Sequence, residues 1–189
     1  DKTDGHEVTF EQFVLSEKHM STASAADGSV ISWEKSKDTY TASAGGKTYT
    51  FDAKHGTLSR PDFKTPLHIE LTRAAIDNEV AAAIFAPAYK YLAPVNIWKS
   101  TEKLMKVSDC KTSEHSGKAV LTVKYSAPQT DDLTAEYTVL SDGRLLVSAS
   151  ITPRHSMVRF GMSFGLDRSY DNIAMYGRSG NENYTDRKS

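Results

Sequence analysis

Several kinds of residue are scarce in this sequence, and each scarcity excludes a class of protein. One cysteine, Cys110, stands in 189 residues, so neither an internal disulfide framework nor a cysteine-built zinc cluster is open to the chain. No apolar run approaches the roughly 18 residues that a membrane-spanning helix needs. Neither sign of charge dominates: 23 Lys and Arg face 24 Asp and Glu, for a formal net charge of −1. A nucleic-acid partner calls for a basic stripe, so neither nucleic acid nor membrane is expected as a partner. The six histidines, at positions 6, 19, 55, 68, 115 and 155, stand singly, without the paired spacing of a helical metal site. No metal site is expected. The opening residues Asp1–Gly5 contain no apolar signal-peptide core, which leaves a cytoplasmic or a periplasmic parent equally open.

The residues that are abundant favour strands. Thr, Tyr and Val recur in short alternating runs, the pattern of half-buried strands. Residues 6–15 read as one such run, followed over residues 16–29 by a small, polar, aperiodic linker. From Val30 onward the punctuation is regular. Runs at 30–34, 38–43, 47–52, 67–71, 103–107, 119–125, 133–140, 144–152, 158–165 and 172–176 predict about ten short strands. Gly45-Gly46 and Ser141-Asp142-Gly143 supply hairpin turns. The fold class predicted is all-β, an antiparallel sandwich. The one long non-strand stretch includes an Ala-rich segment, Asp77–Tyr91. Pro87 interrupts it and Pro94 follows, so at most a short helix is expected there.

Three groups of residues invite a chemical reading. Gly161-Met162-Ser163-Phe164-Gly165 is a literal G-x-S-x-G. An esterase nucleophile elbow needs a strand followed by a helix, whereas here a strand pattern runs through the motif into a turn at Asp167. The bland reading, a serine on a strand, is favoured. The other two groups are denser in polar residues than ordinary turns: Thr72-Arg73-Ala74-Ala75-Ile76-Asp77-Asn78-Glu79, and the C-terminal run from Tyr176 to Arg187. Arg forks with Asp, Asn and Glu acceptors suit an internal loop network and suit sugar hydroxyls equally; the network is the commoner use.

These groups also carry a resemblance. Residues 6–13 (H-E-V-T-F-E-Q-F) look like the H-E-x-A-W-x-Q-F strand that closes the second immunoglobulin-like domain of the large bacterial β-galactosidases of glycoside hydrolase family 2. Residues 72–79 (T-R-A-A-I-D-N-E) are similar to that family's W-R-A-P-T-D-N-D signature. Residues 177–187 are similar to G-x-G-P-x-E-N-Y-x-D-R, and the Asp52–Leu58 turn resembles the hairpin that opens the family's last domain. The chain departs from these patterns at Thr72, Ala75, Glu79, Ser179, Gly180 and Thr185, and keeps Arg73, Asp77, Asn78, Glu182, Asn183, Tyr184, Asp186 and Arg187.

The resemblance implies a galactose-mutarotase-like supersandwich over residues 30–189, partial at its C-terminal end, behind the last strand of a preceding domain (1–15) and a linker (16–29). In the family a separate TIM barrel supplies two catalytic glutamates for retaining hydrolysis. No alternating strand–helix pattern is present in this chain, so no hydrolase activity of its own is expected. The expected role is a non-catalytic β-galactosidase module that shapes the active-site entrance and supports assembly with the parent's other domains. Arg73, Asp77, Asn78 and Glu79 are then the residues nearest the sugar, and Glu182, Asn183, Tyr184, Asp186 and Arg187 brace a loop. No cofactor is expected in this chain, although the family often uses Mg and Na ions.

Two rival readings remain. One is a self-sufficient galactoside-binding module with Trp33, Trp98 and the Tyr89/Tyr91 pair as an aromatic platform. The other is a mutarotase-like enzyme with His68 and Glu70 as an acid–base pair. A sandwich lacking strands would also expose edges and apolar surface, so marginal stability or a homo-oligomer is expected.

Overall fold

A computed structural model describes residues 31–79, 86 and 93–172. The chain divides into two compact units, residues 25–168 and residues 1–24 with 169–189. Every element described below belongs to the first. The predicted strand at 6–15, the linker at 16–29 and most of the predicted strand at 172–176 lie outside the described residues.

Among the described residues, ten strands form two antiparallel sheets. The first sheet holds β1 (Glu34–Ser36), β2 (Thr39–Ala44), β3 (Lys47–Asp52), β4 (Thr57–Ser59), β5 (Phe63–Glu70) and β10 (Gly161–Leu166), side by side in that order. The second holds β6 (Lys106–His115), β7 (Lys118–Ser126), β8 (Thr130–Leu140) and β9 (Leu145–Pro153), each paired with its neighbour in sequence. This is the all-β antiparallel sandwich that the alternation predicts. Period-two burial explains why these residues become strands. Ala119, Leu121, Val123 and Tyr125 of β7 and Leu133, Ala135, Tyr137 and Val139 of β8 are all buried on one face. They meet Tyr40, Ala42, Tyr49, Phe51, Leu58, Leu67 and Ile69 from the other sheet in a single core. Each large side chain buried there contributes roughly 1.5–3 kcal/mol.

Polar tips of the core aromatics stitch the layers together. Trp33 Nε1 donates to the Ala119 carbonyl (3.3 Å), Tyr49 Oη to the Gly143 carbonyl (2.8 Å) and Tyr125 Oη to the Gly56 carbonyl (3.4 Å). Phe51 and Tyr137 pack with ring centroids 5.4 Å apart. Both predicted hairpins form, and their turns press against each other. Gly45 (φ +53°) lies so close to the Asp142 backbone that a Cβ would sit 2.3 Å from the Asp142 carbonyl atoms. Gly143 (φ +79°) is hemmed in from the opposite side by the Ala44 carbonyl oxygen.

The fold differs from expectation in several places: β1 begins only at the last residue of the expected run 30–34, β4 lies outside the expected runs, and two further differences are larger. Lys103, read as the start of a strand, lies in the last turn of a helix, α1 (Pro94–Leu104), and β6 begins at Lys106. Pro94 opens the helix at its first turn, where a missing N–H costs nothing, and Val95, Trp98 and Thr101 recur at spacing three on its buried face. Strand β5 starts at Phe63, upstream of the expected 67, and contains Pro66. The β5–β10 register shifts between Ser163 and Gly165, facing Pro66, and a bulge is where a sheet tolerates proline. Residues 77–79 are helical; the remainder of the predicted 77–91 helix, Ala86 apart, lies outside the described residues.

Candidate functional site

Where β5 ends, the chain is anchored to α1. The Leu71 N–H donates to Glu102 Oε2 (2.8 Å), and Thr72 Oγ1 donates to the Val95 carbonyl (3.3 Å). The next residues close on themselves. The Arg73 guanidinium forks onto Glu79, with Nη1 3.0 Å from Oε2 and Nη2 3.1 Å from Oε1, and Nη1 also donates to the Ala74 carbonyl at 2.8 Å. The Ile76 N–H donates to the same Glu79 oxygen at 2.9 Å. The Arg73 hydrogen bonds, followed by that from Ile76, hold the Glu79 carboxyl below its ordinary range. Of the four residues assigned to sugar from the sequence, Arg73 and Glu79 therefore bind each other. Asp77 and Asn78 stand exposed between them, at the start of the helical turn 77–79. The fork shapes the segment, and the two exposed residues offer carboxylate and amide groups to a partner. Glu182, Asn183, Tyr184, Asp186 and Arg187 lie outside the described residues.

A second cluster joins residues far apart in sequence. Pairing of β10 with β5 sets Ser163 opposite His68 and Gly161 opposite Glu70. Ser163 Oγ donates to Glu70 Oε1 (2.9 Å) and lies 3.3 Å from His68 Nε2. His68 Nδ1 is 2.9 Å from the Pro66 carbonyl and donates to it. Ser163 has one hydroxyl proton, and its shorter contact, to the Glu70 carboxylate, takes it. Arg159 holds the other Glu70 oxygen at 3.1 Å. The strand continues through Gly165 to Leu166 with no helical elbow, so the geometry a G-x-S-x-G nucleophile requires is missing. The cluster clasps β5 to β10.

The aromatic platform is corrected as well. Trp33 and Trp98 are both buried, their indole N–H groups given to the Ala119 and Ser156 carbonyls. Neither can stack on a ligand. Tyr89 and Tyr91 lie outside the described residues. Beside α1 an open cleft of about 530 Å³ lies between Asn96, Lys99, Ser100 and Lys103 and the Pro128-Gln129 turn. Strand-minded reading of the sequence misses it, although the Pro94 start and the 95/98/101 spacing signal the helix that forms its wall. Among the described residues, no three His, Cys, Asp or Glu side chains gather as metal ligands.

The family profile described as "Beta galactosidase small chain" matches residues 43–189. The chain belongs to this family. A β-galactosidase of Priestia megaterium is 22% identical over 194 residues, covering 97% of this chain. The chain spans 18% of that relative's length. Membership of the β-galactosidase small-chain family accounts for the joint presence of the 72–79 and 177–187 motifs in an all-β chain, since the match includes both.

Proposed function

We propose that this small-chain domain is a non-catalytic module of a glycoside hydrolase family 2 β-galactosidase. The sandwich is of the galactose-mutarotase-like type, residues 30–189 form the module, residues 1–15 close a preceding domain, and residues 16–29 link the two. Its work is to present the 74–78 segment at the mouth of a galactoside site whose reacting groups belong to other domains of the parent, and to help hold those domains together. The observation that carries this reading is the family match across residues 43–189. The bidentate Arg73–Glu79 fork supports it, because it stiffens a segment whose exposed members are a carboxylate and an amide. In this role Asp77 and Asn78 contact sugar hydroxyls, and Arg73 and Glu79 position them.

Two assays test the proposal. The purified chain should leave a chromogenic β-galactoside unhydrolysed, and turnover sensitive to substitutions within the chain would overturn the non-catalytic reading. An NMR titration with galactose and lactose should give flat spectra at millimolar sugar if the site needs the rest of the parent. The exposure of Asp77 and Asn78 favours a second reading, a self-sufficient carbohydrate-binding module. Saturable shifts centred on those two residues would put that reading first.

A further inference from the structure

The edges of the two sheets are unequal. Among the described residues, β1 is short and carries Glu34 and Lys35, β10 is broken by register shifts, and β6 is lined with charge. Charges, short length and bulges are the usual protections of a sheet edge. Strand β9 is neither short nor charged, and its ladder with β8 shifts only at the Pro153 end, between Thr130 and Asp132. Its nine residues, Leu-Leu-Val-Ser-Ala-Ser-Ile-Thr-Pro, include no charged side chain, and only the terminal Pro153 interrupts its edge. Leu146 is 47% exposed and Val147 38%. Leu145, Ala149 and Ile151 are half-buried against the core.

We propose that β9 is a self-pairing edge through which two copies of this chain join, antiparallel about Ala149, into a two-fold dimer. The proposal is independent of the assigned function and rests on backbone direction and side-chain matching. The Leu140 N–H donates to the Arg144 carbonyl at 2.9 Å, which makes residues 140 and 144 a hydrogen-bonded pair. Hydrogen-bonded pairs recur every second residue of an antiparallel ladder. The unbroken register from Val139↔Leu145 to Asp132↔Thr152 therefore turns the backbone groups of 146, 148, 150 and 152 toward β8. The N–H and C=O groups of 147, 149 and 151 point to the open edge, and these residues set their side chains on the core face.

Pairing about Ala149 joins those same residues between copies. Val147 meets Ile151, Ala149 meets Ala149, and on the outer face Leu146 meets Thr152 and Ser148 meets Ser150. The half-buried apolar row becomes continuous across the seam, with no charge placed inside it. The arginines brought opposite one another at the ends are already neutralised within each copy, Arg144 by Asp142 (2.5 Å) and Arg154 by Asp131 (2.7 Å). Two four-stranded sheets become one of eight, within the ordinary range.

Light scattering after size exclusion, across a wide concentration range, should show a monomer–dimer equilibrium. Val147→Lys places an unpaired charge in the seam and should weaken it on the order of 100-fold. Cysteine substitutions in a Cys110→Ser background read the register and keep the test open if Val147→Lys fails to fold. Ala149→Cys meets its own copy at a spacing a disulfide can bridge and should cross-link on mild oxidation. Ser150→Cys meets the second copy's Ser148 and lies about 7–8 Å from its own equivalent, so it should remain largely free. A monomer at every concentration, a dimer indifferent to Val147→Lys, or preferential cross-linking of Ser150→Cys overturns the proposal.

Discussion

At one edge of the four-stranded sheet, β6 turns Lys106, Asp109, Lys111, Glu114 and His115 to water; at the other, β9 presents no charge between Leu145 and Pro153. Both strands pair with a central neighbour, β7 or β8, that is buried along its core face. Burial of apolar side chains drives both strands into the sheet, and it does not distinguish them. Their outer backbone groups differ in what they can accept. Lysine and glutamate on β6 resist a further strand by desolvation and by like-charge contact, whereas β9 carries nothing that opposes one. A protein can thus build one closed and one receptive edge on a single core by changing residues that barely affect folding.

The largest expected effect removes the comparison altogether. Tyr137 is fully buried on β8 and packs on Phe51. Tyr137→Ala should lower stability by about 3–5 kcal/mol, seen in chemical denaturation, with amide protection falling in β6 and β9 together. Equal protection with only a small loss would show that β8 is not the shared support. Gly45→Ala comes next. It adds a Cβ against the Asp142 backbone at a positive φ, at a cost of about 1–3 kcal/mol. Because that turn leads into β9, hydrogen exchange should rise in β9 more than in β6, and a uniform rise would break the link.

Alkaline pH should sharpen the contrast from the β6 side. Burial pushes the phenols of Tyr125 and Tyr137 above their ordinary value, and they lie 3.4 Å apart. Below the unfolded phenol value, about 10, their contribution is fully present. As pH rises above it, the unfolded chain releases protons that the folded chain keeps, so stability falls. Tyr125 sits opposite Val107 of β6, so the loss should loosen β6 first, and Tyr125→Phe should flatten the melting-temperature curve above pH 10. The smallest effect on folding is the converse of the dimer test. Lys111→Val with Glu114→Val should alter stability by only about 0.5 kcal/mol while letting β6 associate. Sedimentation should then show species larger than a dimer, and unchanged sedimentation would mean that charge is not what closes that edge.

Most of the sandwich was legible in the sequence because each face repeats every two residues and each hairpin needs its glycines. Gly45-Gly46 and Asp142-Gly143 mark turns that form where they were read. Helix α1 is hidden by its proline, which signals a stop in the sequence although it occupies the first helical turn. For the candidate site, the sequence supplied the residue types and the order of the motifs. It could not say that the Arg73 fork would be taken by Glu79, or that two tryptophans offered as a platform would be buried. Those outcomes depend on which groups desolvation brings within reach.

By itself, then, the sequence determined the class of fold, the turns and the family, because alternation, glycine and motif order are properties of neighbours along the chain. Only the tertiary structure decided that Ser163 donates its hydrogen bond to Glu70, 93 residues away, and that β9 is an edge among the described strands. Hydrogen bonds and strand order join distant residues, and which of them meet is settled when the core closes and removes water from between them.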